Sequence, residues 1–298
     1  MKKQVAHALV SFITAVFPPE TAYGIADRIA KPFLRGKDRR LREDMRSLFP
    51  GESPEWIEDK VHRQRTQRAW IVLDKLIFPK IGAAEIERRT SPESLAELRR
   101  VLDAALAEGR GAILYSLHYG RPISLVYLLA HLGYPIIGLR AGRAENETNR
   151  EGRQLIEAAG VELLDVAGAA ASGIKAVRAL KDNKIILMLP DGRNAPKLTM
   201  VELLGQKVPI ALGFAKLARQ TGAALIATVI YSDGPLAFRY SVERVELPEE
   251  DLTPAQLGSR LMEPVVRGAL EDVGQWHGIN RLMREARRAR EDAEADEI

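Results

Sequence analysis

The sequence predicts an α/β fold, a mostly parallel central sheet flanked by helices, with membrane-proximal helices at the amino terminus. Three observations carry this. Short apolar runs alternate with amphipathic helical stretches from Gly111 onward, the pattern of parallel strands joined by crossover helices. The chain has 298 residues and 46% hydrophobic content, enough to bury a full core. Neither an internal repeat nor a low-complexity linker divides it, so an amphipathic, basic segment (1–50) leads into one α/β domain with a charged carboxyl-terminal helix (51–298).

Taken in order, "MKKQVAHALVSFITAVFPPE" carries two lysines and then an apolar stretch from Val5 to Phe17, interrupted by His7, Ser11 and Thr14. That is short of the roughly 20 residues a membrane-spanning helix needs. No small-residue cleavage site precedes Pro18 and Pro19, which argues against a signal peptide. With the amphipathic "AYGIADRIAKPFL" that follows, the segment reads as two helices lying on or dipping into a membrane interface. "RGKDRRLREDMR" then sets Arg35, Lys37, Arg39, Arg40, Arg42 and Arg46 against three acids. Next to an apolar segment this suits an anionic surface, although a charge run alone is more often a solvated helix face.

Ser53 as N-cap, Pro54 at the first helical position and Glu55 and Glu58 in the opening turns start a long helix. A second runs from Ser94 to Glu108 and stops at Gly109. Expected strands are Gly111–Leu117, Pro135–Leu139, Val161–Val166, Lys184–Leu189, Leu225–Ser232 and Phe238–Leu247, the last two an edge hairpin across "DGPLA". A helix from Thr253 to Asp272 precedes "GQWHGINRLMREARRAREDAEADEI", whose end beyond Arg287 is almost all charged or Ala and reads as a solvated or frayed helix.

Several chemistries are excluded. There is no cysteine, hence no disulfide, thiolate metal site or cysteine nucleophile. The nucleophile elbow, the Walker phosphate loop, the H-E-x-x-H zinc pair and a G-x-G-x-x-G fingerprint at the first strand are all absent. Five histidines scattered over different elements predict no metal site, and nothing calls for a cofactor. Net charge +4, without aromatic-basic interleaving or a recognition motif, gives no case for nucleic acid.

His118 stands apart from the other histidines. It ends the apolar run "AILYSL" and precedes a helix opening at Pro122, so it falls at the carboxyl end of a strand, where open α/β sheets place ligands. A neutral imidazole there can take a proton from an attacking hydroxyl, or can simply be a capped structural histidine. "GLRAGRAENETNREGR" adds Arg140, Arg143, Arg150 and Arg153, suited to phosphates or to a solvated helix. "LPDGRN" places Asp191 and Arg193 in a turn after another strand. Three strand ends therefore offer polar groups along one sheet edge.

From about Arg39 to Leu282 the chain resembles the bacterial lipid A late acyltransferases, a family related to glycerolipid acyltransferases. The likeness rests on "RRLREDMRSLFPGESPEWIEDKV", "LAEGRGAILYSLHYG", "GLRAGRAENETNREGR", "LPDGRN", "LLGQKVPIALGFAKLARQTGAALIATVIY" and "VGQWHGINR", in that order. It implies transfer of a fatty acyl chain from an acyl-carrier-protein or acyl-coenzyme A thioester to a hydroxyl or amine of a lipid or glycolipid. It also implies a peripheral or monotopic place on the cytoplasmic face of a bacterial inner membrane. His118 would be the general base. Tyr119, Gly120 and Arg121 would shape the turn and meet substrate, with a backbone N–H offered to the oxyanion. Arg140 and Arg153 would hold phosphate, and Arg193, with Asp191, would order the acceptor. The acyl chain would lie under "ISLVYLLAHL" and the amino-terminal helices.

One departure is plain: the family motif is H-x-x-x-x-[DE], and the fifth residue after His118 is Ile123. Another carboxylate reaches the imidazole, Asp191 first and Glu145 or Glu147 behind it; or a more acidic acceptor or an amine needs less help from a base; or the chain binds lipid or carrier protein without turnover. A carboxylate oxygen within about 3 Å of His118 favours the enzyme. Ile123 packed on His118 with no acid near favours the binder.

Overall fold

The computed structural model describes residues 12–34, 38–140, 153–154, 156–165, 169–192, 197–249 and 251–296. After a short helical stretch at 12–16, helices α1 (Pro19–Leu34), α2 (Asp38–Leu48), α3 (Pro54–Arg88) and α4 (Pro92–Ala107) precede the sheet. Then come β1 (Ala112–Tyr115), α5 (Pro122–His131), β2 (Ile136–Arg140), β3 (Glu162–Asp165), α6 (Ala169–Lys181) and β4 (Ile185–Met188). A hairpin of β5 (Thr199–Leu203) and β6 (Gln206–Ile210) leads to α7 (Gly213–Thr221), β7 (Ala224–Gly234), β8 (Ala237–Val245), α8 (Pro254–Ala269), a 3-10 turn (Leu270–Gln275) and α9 (Ile279–Asp296).

The central sheet has the order β3-β2-β4-β1-β7-β8, parallel throughout except for the antiparallel β7–β8 edge pair. Its inner strands are apolar on both sides, as expected when helices cover both faces. Ile113, Tyr115, Ile186 and Val229 point into one cluster with residues of α2, α6, α7, α8 and α9. Ala112, Leu114, Ile185 and Ile230 point into the other, with residues of α1, α3, α4 and α5. The amino-terminal helix α1 contributes Ala22 and Tyr23 to that second core.

Local signals fix the helix ends. Ser53 Oγ accepts from Trp56 N–H at 3.2 Å ahead of Pro54, and Thr253 with Gln256 forms a capping box ahead of Pro254. α3 is kinked at Gly82 (φ 74°), three residues after Pro79. The β5–β6 hairpin, absent from the expected strands, closes on a two-residue turn with Leu204 at φ 53° and Gly205 at φ 68°. Both central residues lie in the left-handed region that such a turn requires, without the Asn-Gly pair that advertises it. No described helix is long and apolar enough to cross a membrane.

Candidate active site

β1 and β4 are parallel neighbours in the register Tyr115↔Met188, and Ser116 N–H continues the ladder to Met188 O at 3.0 Å. His118 lies three residues past Tyr115, and Asp191 three past Met188. Equal offsets from paired strand ends bring the two together at the carboxyl edge of the sheet. Asp191 Oδ1 lies 2.6 Å from His118 Nδ1, and the His118 backbone N–H donates to both carboxylate oxygens at 3.0 and 3.1 Å. Trp276 Nε1–H adds a longer contact to Oδ2 at 3.4 Å. The carboxylate is fully buried, while the imidazole keeps 27% exposure.

The third wall is the segment after the 3-10 turn. Gly278 N–H donates to His118 O at 3.1 Å, and a Cβ at Gly278 would stand 2.3 Å from Asp191 Oδ2. Only glycine permits this approach. Arg281 Nη2 donates to Asp191 O at 2.9 Å and stands equally close to His118 Nδ1. Nδ1 carries one proton at most, and the 2.6 Å carboxylate contact claims it, so the Arg281 bond is the one to the carbonyl. The resulting tautomer leaves Nε2 as the basic nitrogen.

Burial pushes the Asp191 carboxyl up, but His118, through charge and hydrogen bonds, and Arg281 outweigh it, and the net shift is downward. Asp191 therefore stays ionised. The His277 ring meets His118 edge to face, centroids 5.9 Å apart. Burial first, then repulsion from His118, Arg68 and Arg281 against the pull of Asp191, drives His277 down to about 3, so it is neutral near pH 7. A cavity of about 140 Å³ opens beside the pair, lined by Asp191, Gly192, Leu198, Pro209, Arg281, Leu282 and Glu285.

Other expectations fare differently. Tyr119 is fully buried with its ring edge-on to Tyr231, and so meets no substrate. Gly120 N–H is taken by Gln275 O at 3.0 Å and Tyr119 N–H by Leu117 O at 2.7 Å, which overturns the expected donation to an oxyanion. The turn is instead threaded tightly: Gly120 has φ 56°, and a Cβ there would fall 1.7 Å from Ile230 O.

Arg121 is not a substrate contact either. It has no exposed surface, its Nε donates to Asp74 Oδ2 at 2.9 Å and its Nη2 to Tyr23 Oη at 3.1 Å. Tyr23, Trp70, Phe78 and Phe238 ring its guanidinium, so it ties α1 and α3 to the His118 turn. Ile123 packs half-buried against the cluster around α5. Arg153 is half-buried with Nε 3.9 Å from Glu157, and Arg140 ends β2 opposite Asp165. Arg193, Glu145, Glu147 and the Arg140 side chain lie outside the described residues.

His277 and Arg281 were legible only as parts of "QWHGINR", with no signal that they return to the first strand, and Arg68 gave none. Among the described residues no cluster of three or more His, Asp or Glu could hold a metal. No curated protein matches the chain. The family model for bacterial lipid A biosynthesis acyltransferases matches residues 4–285. The chain therefore belongs to the bacterial lipid A biosynthesis acyltransferase family, whose chemistry is acyl transfer onto a lipid acceptor.

Proposed function

We propose that this protein is a working acyltransferase in which Asp191 takes the place of the acid missing at Ile123. The observation that carries the reading is the 2.6 Å contact between Asp191 Oδ1 and His118 Nδ1. His118 Nε2 accepts the proton of an acceptor hydroxyl or amine as that group attacks the thioester carbonyl of an acyl-carrier protein or acyl-coenzyme A. The new C–O or C–N bond forms, the tetrahedral intermediate collapses, the C–S bond breaks, and the imidazolium returns its proton to the departing sulfur. Asp191, ionised and buried, holds the Nδ1–H tautomer and stabilises the imidazolium while it exists. Arg140, Arg153 and Arg193 are the candidates for substrate phosphates.

Peripheral membrane association fits the amino terminus. Phe12 and Val16 are 61% and 56% exposed, Phe17 39%, and Val72 on α3 55%. Exposed large apolar groups of this kind suit insertion among lipid acyl chains, on the cytoplasmic face of an inner membrane where thioester donors are made.

The test supplies radiolabelled acyl-carrier protein and acyl-coenzyme A in parallel to purified protein with a total lipid extract. Wild type transfers label, the labelled lipid identifies the acceptor, and His118→Ala loses at least about 10²-fold while remaining folded by circular dichroism. Wild type that binds lipid yet transfers nothing from either donor would make the chain a binder.

A further inference from the structure

Arg68 bonds to none of the site residues described above, yet its charge acts on His277. It lies on α3 one turn after Gln64, whose Nε2 donates to Trp276 O at 2.8 Å. Residues 64 and 68 share one helix face, so Arg68 faces the Trp276–His277 corner. Two other arginines nearby are committed: Arg63 Nε to Asp272 at 2.9 Å, and Arg65 to Asp38. Arg68 makes no hydrogen bond or ion pair with a described residue.

Burial lowers its hold on its proton, and Asp38, whose charge works the other way, is already bonded by Arg65. The Arg68 charge nevertheless reaches His277, acting there together with Arg281. Arg281 is itself incompletely used, because its Nε is buried without a partner. Arg281 is ion-paired only at 4.0 Å, with an Asp191 carboxylate that His118 already holds, and Arg68 has no bonded acid among the described residues, so these two guanidinium groups, drawn partly out of water around one corner, leave a positive excess that an anion would relieve.

We infer that Arg68 and Arg281 form a binding site for a phosphate ester beside His118. Guanidinium forks match phosphate oxygens two at a time. The site is flanked by the neutral His277 and by the cavity at Asp191 and Arg281. What the phosphate belongs to rests on the acyl-transfer reading: the phosphopantetheine arm of the donor, or the headgroup of the lipid acceptor. Either way the site would anchor one substrate a short reach from the imidazole.

Calorimetric titration of the full chain with matched pairs tests this. 4′-Phosphopantetheine is compared with pantetheine, and dihexanoyl phosphatidic acid with dihexanoylglycerol, in wild type, Arg68→Gln, Arg68→Lys and Arg281→Gln. Wild type should prefer the phosphate-bearing member of at least one pair by about 10-fold or more, the worth of a charge-assisted bond pair. The pair that shows it names the source. Arg68→Gln and Arg281→Gln should each cut that preference to about 3-fold or less, with Arg68→Lys in between because it keeps the charge and loses the fork.

No preference in wild type overturns the site, as does a preference that Arg68→Gln leaves intact. Should Arg68→Gln fail to fold, an unreduced preference in Arg68→Lys and Arg281→Gln overturns it equally. A phosphate preference in a protein that transfers no acyl group keeps the anion site and rejects the acyl-transfer reading. Transfer without the preference does the reverse.

Discussion

His277 makes a prediction whose size follows from its surroundings. Its folded pKa sits near 3 against the ordinary 6.5, so between those values the unfolded chain binds a proton that the native state refuses. Stability therefore rises with pH through this window, is complete above about 6.5, and drains away as pH falls toward 3. From about pH 7.5 to about pH 5 a single such group costs about 2 kcal/mol, a ceiling because the ring is only partly buried. The carboxyls of Asp44 and Asp74, raised by burial against the pull of their arginine partners, work in the opposite sense. The quantity to measure is therefore the difference between wild type and His277→Gln, in which those contributions cancel. Urea unfolding followed by far-ultraviolet circular dichroism at both pH values gives it. The wild type should lose about 1–2 kcal/mol more than the variant on acidification. Equal losses, or a larger loss in His277→Gln, would refute a neutral, desolvated imidazole beside His118.

Asp191→Asn keeps the volume but removes the charge and can present an N–H to His118 Nδ1; turnover should fall about 10³–10⁴-fold in the acyl-transfer assay, with the melting temperature nearly unchanged. Gly120→Ala forces a Cβ onto Ile230 O at a left-handed φ, and the variant should lose about 3 kcal/mol or more in chemical denaturation, or not accumulate. Replacing Phe12, Val16 and Phe17 by Ser should weaken co-sedimentation with anionic vesicles about 10-fold or more while leaving the melting temperature in place, since each removes apolar area that faces outward. Ile123→Glu puts a carboxylate against an apolar cluster whose one guanidinium, Arg121, is already paired with Asp74; it should cost about 1–3 kcal/mol of stability and add nothing to turnover, because Asp191 already occupies Nδ1. A rise in turnover would mean that Asp191 is not the working acid.

The strands of the central sheet were legible because each is a short apolar run bounded by turn residues, and their parallel order followed from the helices between them. The β5–β6 hairpin was not, since Leu204-Gly205 carries no turn signature and its strands alternate only weakly. His118 could be singled out from its place at a strand end, and Asp191 from a similar place. Their contact depends on the β1–β4 register, which no local pattern encodes. Arg121 was misjudged for a related reason: one residue past Gly120 the chain has already turned inward, and a cation beside the site in sequence is enclosed by aromatic rings in space. The segment 275–281 returns from the far end of the chain, and long-range pairing of that kind leaves no trace in spacing.

In the proposed reading, the relocation of the acid has a physical logic. A carboxylate five residues after the histidine rides on the first turn of the following helix, so its aim depends on how that helix docks. Asp191 hangs instead from a strand that is register-paired with the strand of His118. It is held by two bonds from the His118 backbone N–H, one from Trp276 and the close approach of Gly278. Such a carboxylate is already oriented before substrate arrives and needs no reorganisation when the imidazole takes up its proton, which is what electrostatic preorganisation requires. It also frees position 123 to be apolar, and Ile123 uses that freedom to seat α5 against the core. The cost falls on burial, since an ion without water must keep its partners. Losing the His118 side chain removes the largest pull on that carboxyl, and an Asp191 pKa raised in His118→Ala relative to wild type, read from the pH titration of its carboxyl shift in NMR, is the outcome this argument demands.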